Sequence, residues 1–245
     1  MPDVLGWRKK FGVLLPSSNT IVEPDFYAMS VPGVTAHGCR IWIDEEPPTD
    51  PNQPRHTHAT ETEPAVERLL TSRPDYLIMG ISGPTFRGGM EGNRQWKERM
   101  RQYSGGLGLA NNAEACHRAL QSYDARRIGV LTPYQASGSA DVIRYFEEAG
   151  FEVVSHVDLG CAKPIDIAQV GEDMVREALL QVNTSEVDAI VQAGTNLNFL
   201  RLAAEAERWL GKPVLASNAV TWWMALRDND IPDKVYGLGR ILSDF

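Results

Sequence analysis

Short apolar runs rich in β-branched residues alternate along the chain with stretches whose apolar positions recur every three or four residues. That alternation predicts parallel strands joined by helical crossovers, an α/β fold. The apolar runs fall at residues 11–15, 76–79, 128–131, 153–157, 189–191 and 214–216. Helical spacing occupies 63–72, 111–122, 139–148, 167–182, 199–210 and 221–227. Asn111, followed three residues later by Glu114, reads as a helix-start cap.

Compared with itself, the chain repeats. FGVLLP at 11–16 recurs as IGVLTP at 128–133, displaced by 117 positions (11 to 128). DYLIMGISGPTF at 75–86 is echoed by DAIVQAGTNLNF at 188–199 in strand, polar turn and closing Phe, displaced by 113 (75 to 188). One such pair is what any α/β chain supplies by chance, whereas two at nearly equal displacement predict a duplicated unit. The expected architecture is therefore two pseudosymmetric domains, each a short parallel sheet flanked by helices, made of residues 1–110 plus 218–245 and residues 111–217. The Gly-rich stretch 104–110 is the expected crossing between halves, and 221–245, which has no partner in the repeat, is expected to cross back.

Ligands of open parallel sheets bind outside the carboxyl ends of the strands, so the loops after the repeated strands are the candidate site, at the domain interface. After the first strand, Ser17, Ser18 and Asn19 offer two hydroxyls and an amide. In the loop at 80–85, Gly80 and Gly83 let backbone N–H groups approach a ligand, and Ser82 and Thr85 add side-chain donors. The second half supplies Tyr134, behind Thr132 and Pro133, and the run Gly194, Thr195 and Asn196. Taken singly, each loop is an ordinary turn. Together they form a donor set suited to a carboxylate, because hydrogen bonds to an ionised group are roughly twice as strong as neutral ones. Arg87 either adds charge to this set or stays a solvated surface residue. The segment 44–64 is the longest without periodicity and reads as a lid or a surface excursion. It carries His56 and His58, which lack a third metal ligand nearby, so no metal is expected.

Composition narrows the classes. With 43% hydrophobic residues in 245, the chain can bury a sizeable core. Thirty-two acidic against 24 basic side chains, a net charge of -8, leave neither nucleic acid nor an anionic membrane surface an attractive patch. No apolar run approaches the roughly 18–20 residues of a membrane span, and nothing near Met1 resembles a signal peptide, so the cytoplasm is the expected compartment. Cys39, Cys116 and Cys161 form no CxxC pair, in keeping with a reducing compartment. There is no phosphate loop, no GxGxxG after the first strand and no GxSxG elbow, so no cofactor is expected.

The residues FGVLLPSSNT at 11–20, RIGVLTPY at 127–134, DAIV at 188–191 and GKPVLAS at 211–217 resemble the maleate cis-trans isomerases and arylmalonate decarboxylases of the Asp/Glu racemase superfamily. The likeness covers nearly the whole chain and implies two parallel-sheet domains with a carboxylate site between them. Carried over by position, it implies that Asn19 and Tyr134 hold a substrate carboxylate. Ser82 with the 80–83 backbone would form one anion hole, and Thr195 with its backbone the mirror-image one. The pattern also departs from the family, which places a catalytic cysteine in one or both repeat loops. Here those positions are Gly80 and Gly194. A thiol with pKa about 8.5 serves as nucleophile or proton donor near neutrality, whereas Ser and Thr hydroxyls need a partner base. Cys161 falls near a loop that also reaches the family's site and is either a relocated thiol or a buried, inert one.

The expected function is an enzyme acting on a small mono- or dicarboxylate by isomerisation, proton transfer or decarboxylation, with Tyr134, Ser82 and Thr195 catalytic and Ser17, Ser18, Asn19, Gly80, Gly83, Gly194 and Asn196 binding. Related folds often self-associate, so a homo-oligomer is expected. Two alternatives stay open: a hydrolase using Ser82 or Thr195 with an activated water, and a carboxylate-binding protein that has lost the chemistry.

Overall fold

The computed structural model describes residues 3–44 and 55–245. Two four-stranded parallel sheets carry the fold, each with helices on its faces. The first contains β1 (Lys9–Pro16), β2 (Val34–Ile41), β3 (Tyr76–Met79) and β4 (Leu109–Ala110), in the order β2-β1-β3-β4. The second contains β5 (Arg127–Thr132), β6 (Glu152–Asp158), β7 (Ala189–Gln192) and β8 (Val214–Ala216), in the order β6-β5-β7-β8. The two orders are the same once the sequence shift is applied, so the repeat read from the sequence is a repeat of structure. Phe11 pairs with Tyr76 in the first sheet and Ile128 with Ala189 in the second, the positions the two echoes link.

Helices α1 (Val22–Ala28), α2 (His58–Leu70), α3 (Gly83–Phe86) and α4 (Gly89–Tyr103) belong with the first sheet. Then come α5 (Asn112–Ser122), α6 (Ala136–Glu148), α7 (Glu172–Val182), α8 (Leu200–Leu210), α9 (Ser217–Asp228) and α10 (Arg240–Asp244). The Asn111 cap forms as expected, its side chain accepting from the Glu114 N–H at 3.1 Å.

Several boundaries differ from the sequence pattern. The span 167–182 is two elements, a 3-10 turn over Asp166–Gln169 and then α7, because Gly171 takes an extended conformation as the N-cap of α7. Residues 58–64 lie in α2, so that part of the expected 44–64 loop is helix, while residues 45–54 lie outside the described residues. The stretch 104–110 turns the chain from α4 into β4 through Gly105 and Gly106, both at positive φ, and the passage between sheets follows through α5.

The central strands β1, β3, β5 and β7 are buried on both faces, which explains their unbroken apolar runs. One hydrophobic cluster runs from Phe11 and Val13 of β1 through α5 and α9 to Val130 and Leu131 of β5. Trp222 of α9 sits at its heart, edge-on to Phe11 at 5.5 Å and beside Phe26 at 5.0 Å, with its indole N–H donating to the Met29 carbonyl at 2.9 Å. The tail bonds back to the first half through Tyr76, whose hydroxyl donates to Asp228 at 2.6 Å, and through Arg8, which pairs with Asp233 at 2.6 Å. The two sheets therefore share one hydrophobic cluster under the loops at their carboxyl ends. Among the described residues no helix is long and apolar enough to cross a membrane.

Candidate active site between the two halves

Four loops meet above that shared core and enclose a cavity of about 310 Å³. Ser18 and Asn19 enter from the end of β1, and Ser82 and Gly83 from the turn between β3 and α3. Tyr134 follows β5, while Gly194, Thr195 and Asn196 follow β7. Of the residues expected from sequence, Ser17, Gly80 and Thr85 do not line the cavity, and the buried Thr85 hydroxyl donates to the Ser82 carbonyl at 2.7 Å. The Ser17 hydroxyl accepts from the Ile43 N–H at 3.1 Å, and the Gly80 N–H donates to the Leu14 carbonyl at 2.7 Å, so the polar groups of all three are consumed in the framework.

The halves bond to each other crosswise. Ser82 of the first half contacts the Tyr134 hydroxyl of the second. In the mirror position, the Thr195 hydroxyl donates to the Gly80 carbonyl at 3.0 Å, and the Asn19 amide reaches Thr195 Oγ1 at 3.5 Å. Asn19 also shapes its own loop, its Oδ1 accepting from the Ile21 and Val22 N–H groups at 3.0 and 2.9 Å. Asn196 lines the cavity with both ends of its amide engaged, to the Thr20 N–H at 3.0 Å and the Pro164 carbonyl at 2.9 Å, so it fixes the wall. The backbone N–H groups of Ile81, Ser82, Thr195 and Asn196 have no acceptor among the described residues. One such set stands on each side of the interface, a geometry suited to holding anionic oxygens.

Burial pushes the Tyr134 phenol up to about 12, with the Ser82 hydroxyl and Gly83 N–H only partly offsetting it. The group is therefore neutral at physiological pH, a hydrogen-bond donor and not a base. Its loop is braced: Thr132 Oγ1 bonds Ser139 at 2.6 Å and accepts from the Tyr134 N–H at 3.2 Å. The next loop is pinned against it, since the Gly160 N–H donates to the Tyr134 carbonyl at 3.1 Å and the Cys161 N–H to the Pro133 carbonyl at 2.9 Å. That pinning carries Cys161 into the cavity wall. Burial first, and the nearby Asp166 charge second, hold its thiol above the usual range, and so protonated.

The two histidines of the 44–64 segment part company. His56 Nδ1 meets Glu61 at 2.8 Å and its ring stacks on Trp42 at 4.3 Å, away from the cavity. His58, at the first turn of α2, lines the cavity, and its Nδ1 has no hydrogen-bond partner among the described residues. Arg87 lies outside this cavity, on the far side of the 81–84 turn.

Behind Thr195, Asn218 Nδ2 donates to the Thr195 carbonyl at 3.1 Å and to Asp25 Oδ2 at 2.7 Å. Sequence reasoning missed Asp25 and Asn218, because neither sits in a repeated loop. Asp25 and His58 make opposite demands on pH. Burial raises the Asp25 carboxyl from 3.8 to about 6, against the opposing effects of Asn218 and Arg201. Between those values the folded chain holds a proton that the unfolded chain has lost, so this contribution is complete below 3.8 and vanishes as pH rises through 6. Burial first and Arg87 second lower the His58 imidazole from 6.5 to about 4. Here the unfolded chain takes up the proton first, so the contribution is complete above 6.5 and vanishes as pH falls through 4. Each is worth about 3 kcal/mol at its limit. Over pH 4–6 the two slopes offset each other in the native protein. Denaturant unfolding should show Asp25→Asn losing stability on acidification and His58→Gln gaining it. Parallel pH profiles for native protein and both variants would contradict the assignment.

Duplicated parallel-sheet halves with a donor-lined cavity at their junction define an Asp/Glu racemase-like protein. Within that superfamily the family model described as arylmalonate decarboxylase matches residues 73–242, well over half of the sequence, and the chain belongs to that family. A maleate isomerase of Nocardia farcinica is 27% identical over 243 residues, covering 96% of this chain and 95% of its own. A maleate isomerase of Geobacillus stearothermophilus is 23% identical over 251 residues, covering 96% and 97%. In the solved structures, a cysteine-to-serine variant of Nocardia farcinica maleate cis-trans isomerase, with a covalently bound succinylcysteine intermediate, superposes with a TM-score of 0.85 at 24% identity, covering 97% of this chain and 99% of that one. A liganded, cysteine-exchanged variant of arylmalonate decarboxylase superposes with a TM-score of 0.80 at 19% identity, covering 97% and 100%. These superpositions share the two-sheet fold described above.

Proposed function

We propose that the protein is an isomerase or decarboxylating lyase that acts on a small mono- or dicarboxylate through an enolate-like intermediate, without a cysteine in either repeat loop. The observation that carries this reading is the pair of unbonded N–H sets, at 81–82 and at 195–196, on opposite sides of one cavity. One set holds the spectator carboxylate and the other the oxygen on which charge develops, and the neutral Tyr134 phenol donates to that charge. Family membership and the named maleate isomerase relatives support the substrate class.

Cys161 is the proton donor in this proposal. Loss of CO₂ leaves an electron pair on the α-carbon, delocalised onto the remaining carboxylate. The Cys161 thiol delivers a proton to that carbon, and the resulting thiolate regains one from water. The raised thiol pKa favours donation over attack as a nucleophile. Hydrolysis through Ser82 gains less support, because its hydroxyl partner is a phenol with pKa about 12, which does not accept a proton from serine near neutrality. The division into residues 1–110 with 218–245 and residues 111–217 belongs to the same proposal, supported by the bonds from Asn218, Trp222, Asp228 and Asp233 to the first half.

The test is proton NMR of the protein with a panel of small mono- and dicarboxylates in heavy water. Deuterium at the α-carbon indicates isomerase or racemase chemistry, and loss of CO₂ a decarboxylase. Cys161→Ser should slow deuterium incorporation by about 10²-fold or more, the usual loss of a positioned acid. Release of an amine or alcohol with a new carboxylate would mark a hydrolase and overturn the proposal.

A further inference from the structure

A second chamber, of about 560 Å³, lies behind the 81–84 turn, and His58, Ile81 and Pro84 form its wall with the candidate active site. Its volume falls in the range of about 300–1,000 Å³ typical of small-molecule sites. The floor is apolar and deeply buried: Ile41 ends β2, Met79 ends β3, and Trp96 and Met100 lie one turn apart on α4. Tyr103 continues the same stripe. An apolar floor of this breadth, with an indole and a phenol in it, matches a flat hydrophobic body.

The rim carries the opposite chemistry. Arg87, just before α4, and Arg99, on its third turn, both line the chamber, and no side-chain hydrogen bond or ion pair is made by either guanidinium among the described residues. Among the described residues no Asp or Glu lines the chamber, although the whole chain carries a net charge of -8. At the N-terminus of α4 two N–H groups already hold carboxylates, Gly88 donating to Asp141 at 3.3 Å and Met90 to Glu148 at 2.8 Å. An acid in the chamber would therefore be met by the two guanidinium groups, which grip carboxylate and sulfonate oxygens through paired N–H donors. The Arg87 charge also bears on His58 in the shared wall, whose Nδ1 has no partner among the described residues.

We propose that this chamber binds an aromatic organic anion, its body over Trp96 and Met100 and its charge between Arg87 and Arg99, as a ligand separate from the carboxylate of the neighbouring site. The test is a fluorescence titration of the full chain with 8-anilinonaphthalene-1-sulfonate, read both directly and by energy transfer from tryptophan. The expected result is saturable binding of one probe per chain, at least tenfold weaker in the Arg87→Ala/Arg99→Ala double variant and undiminished by excess malonate. Both arginines are exposed, so the variant should keep its circular dichroism spectrum and its affinity for malonate. No saturable binding, superimposable titrations of the two proteins, or displacement of the probe by malonate would each overturn the proposal. A failure of malonate itself to bind counts against the neighbouring carboxylate site and leaves this chamber to be judged on the probe alone.

Discussion

Tyr134→Phe is expected to lower turnover by about 10²–10³-fold while changing KM much less, the pattern of a donor whose bond strengthens as charge develops. The tyrosine spans the interface to Ser82, and burial holds its phenol protonated to about pH 12. Removing one oxygen deletes the donor and leaves the ring packing in place. The accompanying loss of stability should stay near the roughly 1 kcal/mol of an ordinary hydrogen bond. Because Tyr134 does not titrate below about pH 12, the native activity profile should carry no alkaline limb from it in the neutral range. Steady-state kinetics on the substrate found in the NMR panel decide the matter, and a kcat within threefold of native would remove Tyr134 from the mechanism. A protein that binds the same carboxylates tightly and turns over none of them would instead be a binding protein built on an enzyme fold.

Gly194→Cys, which would install sulfur where the family resemblance puts it, is expected to destabilise the fold and not to restore thiol chemistry. Gly194 has φ of +148°, a conformation that side-chain-bearing residues rarely adopt, and a Cβ there would lie 2.5 Å from Pro133 Cγ and Cδ. Pro133 cannot step aside easily, because its carbonyl holds the Cys161 N–H and Tyr134 follows it directly. Backbone strain and overpacking together should cost about 3–5 kcal/mol, lowering Tm by on the order of 10 °C in a chain of this size. Gly80→Cys should be milder. Its Cβ would meet Val22 Cγ1 at 2.9 Å, a side-chain end able to shift, and the Leu14 carbonyl at 3.2 Å, with no positive φ to strain. Thermal unfolding of the two variants side by side tests this ranking, and a Gly194→Cys protein as stable as native would contradict it.

What could be read from the sequence follows from where apolar side chains cluster. The four central strands are buried on both faces, so they stand out as apolar runs and expose the repeat, and the loops at their ends then locate Asn19, Ser82, Tyr134 and Thr195. Strand β2 has no such signature, because only Val34 and Ile41 of its eight residues are buried. Helix α4 hides for a similar reason: polar residues dominate it, and few of its side chains face the interior. Ser17 and Gly80 have the right chemistry on paper, but whether a donor is free or consumed depends on neighbours far along the chain, Ile43 and Leu14. His56 and His58, two residues apart, diverge because the second begins a helix and the first pairs with Glu61. Asp25 and Asn218, 193 residues apart, meet only through the packing of α1 against α9.

The claim that the two repeated loops hold a carboxylate between them is tested most directly by a crystal structure of the protein with malonate. The expected result is one carboxylate within hydrogen-bonding distance of the Ser82 N–H and the Tyr134 hydroxyl, and the other facing the Thr195 and Asn196 N–H groups. Malonate bound elsewhere, with the cavity between the halves left to solvent at saturating concentration, would contradict it.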